Sequence, residues 1–259
     1  MKRAGWPRIT TPISASRALA PIVIIPARLG STRLPRKALA DIDGRALIVH
    51  VWERACAAAL GPVAVATDST EIARAVEAVG GRAVITGGAH ASGSDRIGEA
   101  LRKLDPLGSH GAVVNLQGDQ PLLPEGALEA ALALLADPAV EIGTLATPAL
   151  AEEADDPNAV KLVGAKIAPG RLRALYFTRA RAPYGAGPLL KHVGVYAFRR
   201  AALDAFAALS PSPLEVREGL EQLRALEAGM RIDAALLDKA APSVDTERDL
   251  RALREQDAK

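Results

Sequence analysis

The sequence predicts an α/β chain: a mostly parallel sheet with helices on both faces, joined to an antiparallel subdomain. From residue 22 to 146, short apolar and β-branched runs alternate with helical stretches, the pattern of a parallel sheet. Beyond residue 151, strand-like runs follow one another with no long helix between them, which suggests antiparallel pairing. A third observation concerns two unusual loops, 28–37 and 117–121. Each leaves the carboxyl end of a strand, where sheets of this kind bind ligands.

The elements follow in order. Residues 22–25, Ile-Val-Ile-Ile, are all β-branched and form the first strand. Pro26 brings no N–H and is expected to end the ladder. Gly44 punctuates an irregular turn. Residues 47–60 form a helix with Leu47, Val51 and Ala55 along one side, stopped by Gly61-Pro62. The second strand is 63–66, and Asp68 is expected to cap the next helix with Glu71 as capping-box partner. The third strand is 83–85. A glycine-rich loop, 87–93, leads into Ser94-Asp95-Arg96 at a helix start. The fourth strand, 112–116, runs directly into Gln117-Gly118-Asp119-Gln120-Pro121. Residues 128–135 are apolar almost all round and read as a deeply buried helix, followed by a strand at 142–146. Strand-like runs follow at 159–163, 172–176 and 192–198, then helices at 203–208 and 214–228 and a strand at 232–237. Thr246 and Asp249 form a capping box for the last helix. Breakers across 151–158 mark a division between halves of about 21–150 and 151–259 within one domain spanning 21–259.

Composition bounds the function. Of 259 residues, 49% are hydrophobic but only 3% aromatic, so the core is built from Ala, Val, Leu and Ile. A net charge of +2 gives no argument for a nucleic-acid partner. The single cysteine, Cys56, excludes an internal disulfide and reads as a small core residue, compatible with a cytoplasmic home. No apolar run approaches the length of a membrane span. Residues 1–20 carry Lys2, Arg3 and Arg8 and end in Ala18-Leu19-Ala20, which mimics a signal cleavage site. The apolar segment of a signal peptide is missing, so this stretch is read as a disordered extension.

The chemistry concentrates in a few places. Arg28, Arg33, Arg36 and Lys37 lie within ten residues, with Gly30, Ser31 and Thr32 between them. Such a loop can offer backbone N–H groups, hydroxyls and cations to one polyanion, a triphosphate for example. The plainer reading is a solvated basic turn. It has neither P-loop nor dinucleotide-fold spacing. Asp119, after the fourth strand, is placed to hold a hard cation such as Mg²⁺, with Gly118 letting a ligand approach the backbone. The alternative is an Asp that organises its own turn. Asp245 is its candidate partner, or else stabilises the last helix dipole. His192, Gly194 and Tyr196 share one strand face suited to a sugar, although a lone strand histidine is often structural. Glu221 and Arg224 lie three apart on a helix and can pair at the surface. His50, His90 and His110 have no zinc spacing.

Eight segments together resemble the 3-deoxy-D-manno-octulosonate (Kdo) cytidylyltransferases, the CMP-Kdo synthetases. They are Ile24 through Pro35, Ala66-Thr67-Asp68, Ser92 through Arg96, Asn115 through Pro121, Ala174 through Arg179, Lys191 through Tyr196, Leu220 through Arg224, and Val244-Asp245-Thr246. They occur in the family order.

The resemblance implies a Rossmann-like nucleotidyltransferase fold, a cytoplasmic homodimer and Mg²⁺ as cofactor. It also implies transfer of CMP from CTP to Kdo with release of pyrophosphate, for lipopolysaccharide synthesis. The first half would bind nucleotide; the second would bind sugar and dimerise. Arg28, Ser31, Arg33 and Lys37 would hold the CTP phosphates, and Asp119 and Asp245 the magnesium. Ser94, Arg96 and Gln117 would surround the cytidine and reacting centre. Arg179, His192, Tyr196, Glu221 and Gln222 would face the sugar acid. Two departures stand out. Pro35-Arg36-Lys37-Ala38 replaces the usual Pro-Gly-Lys-Pro, and Gln120 replaces a common Glu. The Gln form also resembles enzymes that activate 8-amino-Kdo. A sialic-acid cytidylyltransferase and a non-catalytic nucleotide-binding module are the remaining readings.

Overall fold

The computed structural model describes residues 19–30, 34–90, 92–238, 243–244 and 246–257. In chain order the elements are β1 (Pro21–Ala27), β2 (Asp41–Ile42), β3 (Arg45–Ala46), α1 (Leu47–Ala57), β4 (Val63–Thr67), α2 (Thr70–Glu77) and β5 (Arg82–Ile85). There follow α3 (Gly93–Leu104), β6 (Ala112–Leu116), α4 (Ala127–Ala133), β7 (Ile142–Pro148), β8 (Lys161–Ala168), β9 (Arg171–Thr178) and β10 (Leu190–Arg199). The chain closes with α5 (Arg200–Ala208), α6 (Pro213–Glu218), α7 (Gln222–Glu227), β11 (Ile232–Leu236) and α8 (Glu247–Asp257). The expected extension at 1–20 lies almost wholly outside the described residues.

The chain divides into two compact units, one of residues 20–125 with 241–259, the other of 126–240. The compact units thus divide after Glu125, and the last helix groups with residues 20–125.

In the first unit, four strands run parallel in the order β5-β4-β1-β6. By the right-handed crossover rule this strand order puts α1 and α2 on one face and α3 on the other, and α1 packs on α2. The strand order reverses between β1 and β6, which makes their carboxyl ends the topological switch point. Both unusual loops start there. Pro26 does not end β1: the strand continues to Ala27, with Pro26 beside Ala66. Val23 donates its N–H to Pro62 of the β4 side, so even-numbered residues face β6. On the β6 side the ladder does end before Pro26, at Ile24–Asn115, as expected of a residue with no N–H to donate; only the pairing with β4 continues.

Two local expectations are corrected in this unit. Ser69, not Asp68, caps α2, accepting the N–H of Ile72 at 3.3 Å. Cys56 is exposed, because the buried side of α1 is set by Leu47, Ile48, Val51 and Ala55 and the next residue turns outward.

The second unit holds β10-β7-β11-β9-β8, all neighbours antiparallel except β7 and β11. The helix expected over 214–228 is two helices, α6 and α7. Gly219 takes a left-handed conformation (φ 64°) that ends the first. α4 is buried as expected but tightens into a 3₁₀ turn at Leu134–Ala136. Among the described residues no helix is long and apolar enough to cross a membrane.

Candidate active site

At the switch point the basic loop folds back on itself. Arg36 N–H donates to Leu29 O at 3.3 Å, and Lys37 N–H to Leu34 O at 3.1 Å. Arg36, standing where a glycine is usual, is left-handed (φ 58°, ψ 25°). Its guanidinium turns away to Glu71, which draws the Glu71 carboxyl below the usual range. The backbone shape that a glycine would favour is therefore kept. The next residue opens a short 3₁₀ turn, and Lys37 Nζ meets Asp119 Oδ2 at 2.7 Å. Arg28, at the end of β1, is exposed. Ser31 and Arg33 lie outside the described residues.

Asp119 sits in a turn closed by Gln120 N–H to Gln117 O at 3.3 Å. Its own carbonyl accepts the N–H of Val244 at 2.9 Å. Asp245 lies outside the described residues, but its chain neighbour is thus fixed on the Asp119 loop. Leu34, Ile42, Leu47, Val244, Leu250 and Leu253 form one buried cluster that draws the basic loop, α1 and α8 together. Thr246 and Asp249 make the expected capping box, Asp249 N–H to Thr246 Oγ1 at 3.3 Å and Thr246 N–H to Asp249 at 2.8 Å.

Gly118 differs from its expected role. A Cβ there would stand 2.9 Å from Pro26 O and 3.3 Å from Ile48 Cδ1, so the glycine admits the backbone of β1 rather than a ligand. Arg54 Nε of α1 grips the far end of the loop at Leu123 O, 2.6 Å away.

The Gln117 side-chain amide donates to Asn115 Oδ1 at 3.1 Å, and Asn115 lies 3.5 Å from Ser94 Oγ. Gly93 packs directly on Gln117. Arg96 is buried, and its guanidinium reaches Asp68 Oδ2 at 2.8 Å, Thr86 Oγ1 at 2.7 Å and Gly87 O at 3.2 Å. It locks the carboxyl ends of β4 and β5, and Asp68 is its partner rather than a helix cap. Gln120 is buried with its Oε1 unpaired among the described residues.

The five residues expected at the sugar lie in the second unit. His192 is flanked by Phe177, with ring centroids 4.9 Å apart, and Tyr196, at 5.4 Å. A bulge between Val193 and Tyr196 breaks the simple alternation. The row continues through Phe198 to Phe206, so all three phenylalanines of the chain stand here. Thr144 donates to Val195 O at 2.7 Å and lies 2.9 Å from His192 Nε2, so it accepts the imidazole N–H. Burial lowers the His192 pKa to about 3, keeping the ring neutral. Burial, with the nearby Glu221 charge, holds the Tyr196 hydroxyl well above its usual value.

Gln222 is buried at the start of α7. Arg179 donates to three carbonyls, Glu218 O at 2.7 Å, Pro157 O at 2.8 Å and Gly219 O at 3.2 Å. It fixes the link that carries Glu221 and Gln222. Arg224 does not make the expected pair with Glu221 its main contact. It is buried, binds Glu215 at 2.7 and 2.5 Å and stacks on Phe206 at 4.8 Å. Asn115, Thr144 and Glu218 escaped the sequence reading. The Thr144 and Glu218 side chains find their partners about 40 to 51 residues away, and Asn115 meets Ser94 as well as nearby Gln117.

The family model for cytidylyltransferases matches residues 22–232. This chain belongs to the cytidylyltransferase family. A 3-deoxy-manno-octulosonate cytidylyltransferase of Methylobacterium radiotolerans is 61% identical over 235 residues, covering 90% of this chain and 95% of that one. The protein of the same description from Xanthobacter autotrophicus is 58% identical over 239 residues, 92% of each chain. A solved structure of CMP:2-keto-3-deoxy-manno-octonic acid synthetase complexed with CTP superposes with a TM-score of 0.84 at 40% identity, covering 92% of this cytidylyltransferase and 98% of the other chain.

Proposed function

We propose that the protein transfers CMP from CTP to the anomeric hydroxyl of Kdo, giving CMP-Kdo and pyrophosphate. The observation that carries this is the meeting of Lys37, Asp119 and Val244 at the β1/β6 switch point. A cation, a carboxylate and the segment bearing Asp245 come from three distant parts of the chain to one place. The Kdo-enzyme relatives and the CTP-bound neighbour support the choice of substrates.

In this reading Arg28, Ser31, Arg33 and Lys37 neutralise the triphosphate, and Ser94 and Gln117 orient the cytidine. Arg96 serves the nucleotide through the loop it holds. Asp119 and Asp245 would hold Mg²⁺. The donors fit: Asp119 already accepts one cation, and Mg²⁺ needs only one or two carboxylates besides phosphates and water. When bound, Mg²⁺ supplies charge neutralisation on the phosphates and acidifies the sugar hydroxyl. Positioning and electrostatics therefore provide most of the rate, with no dedicated protein base.

In the second unit, neutral His192 keeps Nδ1 as an acceptor for a sugar hydroxyl, and Tyr196, Glu221 and Gln222 add polar contacts. Arg179 spends its guanidinium hydrogen bonds on neutral carbonyls beside the Glu218 carboxylate, and its role toward the sugar is to hold the segment that carries Glu221 and Gln222. The reading extends to a cytoplasmic homodimer that feeds lipopolysaccharide synthesis.

The test is pyrophosphate release by the purified protein with CTP, Mg²⁺ and Kdo. Release that depends on Kdo is expected; none with Kdo present would overturn the reading.

A further inference from the structure

We propose that Lys37 is a placeholder for the divalent ion: without nucleotide its ammonium occupies the cation position of Asp119, and metal enters only together with phosphates. This rests on the metal reading above. It adds an order of binding and assigns Lys37 a role before catalysis.

The contact is tight and shielded. Nζ lies 2.7 Å from Asp119 Oδ2, with the side chains 16% and 27% exposed. A pair this sheltered is screened far less than a surface pair.

Both ends are fixed at the backbone. Lys37 N–H is bonded to Leu34 O at 3.1 Å, and its carbonyl accepts Ala40 N–H at 3.0 Å. The residue before it is anchored through Glu71. Asp119 is held by Val244 N–H at 2.9 Å and by the turn from Gln117 to Gln120. Between these anchors the four-carbon lysine stem supplies the rotatable bonds by which the ammonium can change partner.

A dication on either oxygen of the same carboxylate would sit within a few ångströms of the ammonium, and the like charges would repel. An added anion removes the conflict. Phosphate oxygens ligate Mg²⁺ and accept an ammonium equally well. Incoming phosphates would therefore draw Lys37 off Asp119 and leave that carboxylate to hold Mg²⁺ together with them. The free protein should bind divalent ions weakly and the metal–nucleotide complex as one unit.

The experiment titrates Mn²⁺ into the full chain without nucleotide or sugar, reading free Mn²⁺ by electron paramagnetic resonance. Lys37→Met is expected to bind Mn²⁺ at least about tenfold more tightly than the wild type, a change of about 1.4 kcal/mol. Lys37→Arg, which keeps the charge, should stay weak, and Asp119→Asn added to Lys37→Met should abolish the gain. Lys37→Gln is measured in parallel, so that a folding defect in one variant does not decide the result. Unchanged Mn²⁺ affinity in both neutral variants would overturn the proposal, as would a gain that survives Asp119→Asn. The titration uses neither sugar nor turnover. It can fail while CTP and Kdo still release pyrophosphate, and a failed turnover assay leaves it standing.

Discussion

The backbone N–H of Val244 donates to the carbonyl of Asp119 at 2.9 Å. This bond ties the segment before Asp245 to the loop that carries the other expected metal ligand. The helix that follows is already capped by Thr246 and Asp249, so Asp245 is not needed for that task. Asp119→Asn and Asp245→Asn should each keep the fold and lose about a hundredfold or more in kcat, since an amide is a poor ligand for a hard cation. Steady-state kinetics at saturating Mg²⁺ check this. A nearly normal rate in either variant removes that residue from the metal site.

Gly118→Ala should damage both stability and rate. The added methyl would lie 2.9 Å from Pro26 O, a backbone atom that cannot swing aside. Overpacking of this kind costs about 1–3 kcal/mol. The strain falls between β1 and the Asp119 loop, so kcat should fall as well. Denaturant melts and kinetics on one preparation give both numbers. An unchanged melt would show that β1 and the loop move apart freely.

Thr144→Val should leave the His192 N–H and the Val195 carbonyl without their partner, at a cost of about 1–3 kcal/mol. His192 also makes a pH prediction. Its pKa is lowered to about 3 in the folded protein, below the ordinary value of 6.5. The unfolded chain binds the proton more readily, so this stabilisation is present above pH 6.5 and is lost as the pH falls toward 3. Nitrogen NMR of the ring should show the neutral Nε2–H form at pH 6. An imidazolium signal there would contradict the burial argument.

Glu99 gives a second acid-sensitive contact. Its carboxylate binds Lys103, the Gly87 N–H and the His90 ring, and these bonds lower its pKa to about 2 against the opposing effect of burial. A depressed carboxyl stabilises the fold above its ordinary pKa of 4.5 and loses that contribution as the pH falls toward 2. Glu99→Gln should therefore flatten the fall of stability between pH 4.5 and 2. Urea melts across that range measure it, and an unaltered slope would show that the loop is held without this charge.

Much of the first unit was legible in the sequence, because its signals are local. The β-branched run in β1, the start of β6 and the Thr246–Asp249 box each declare themselves within a few residues. What was not legible depends on distant partners. Asp68 looks like a helix cap until Arg96, 28 residues on, claims it. Arg36 hides a left-handed backbone because its side chain suggests phosphate binding. Gly219 breaks a helix that hydrophobic periodicity alone carries through. Arg179 reads as a ligand for sugar, yet three carbonyls converge on it only in the folded chain.

The most direct test of the account is the identity of the product. Protein, CTP and Mg²⁺ are incubated with Kdo, 8-amino-Kdo or a sialic acid in separate samples, and the phosphorus NMR spectrum and mass of each product are read. The account predicts CMP-Kdo and pyrophosphate in equal amounts, with Kdo turned over fastest. Intact CTP in the presence of Kdo, alongside ready conversion of another sugar acid, would contradict it.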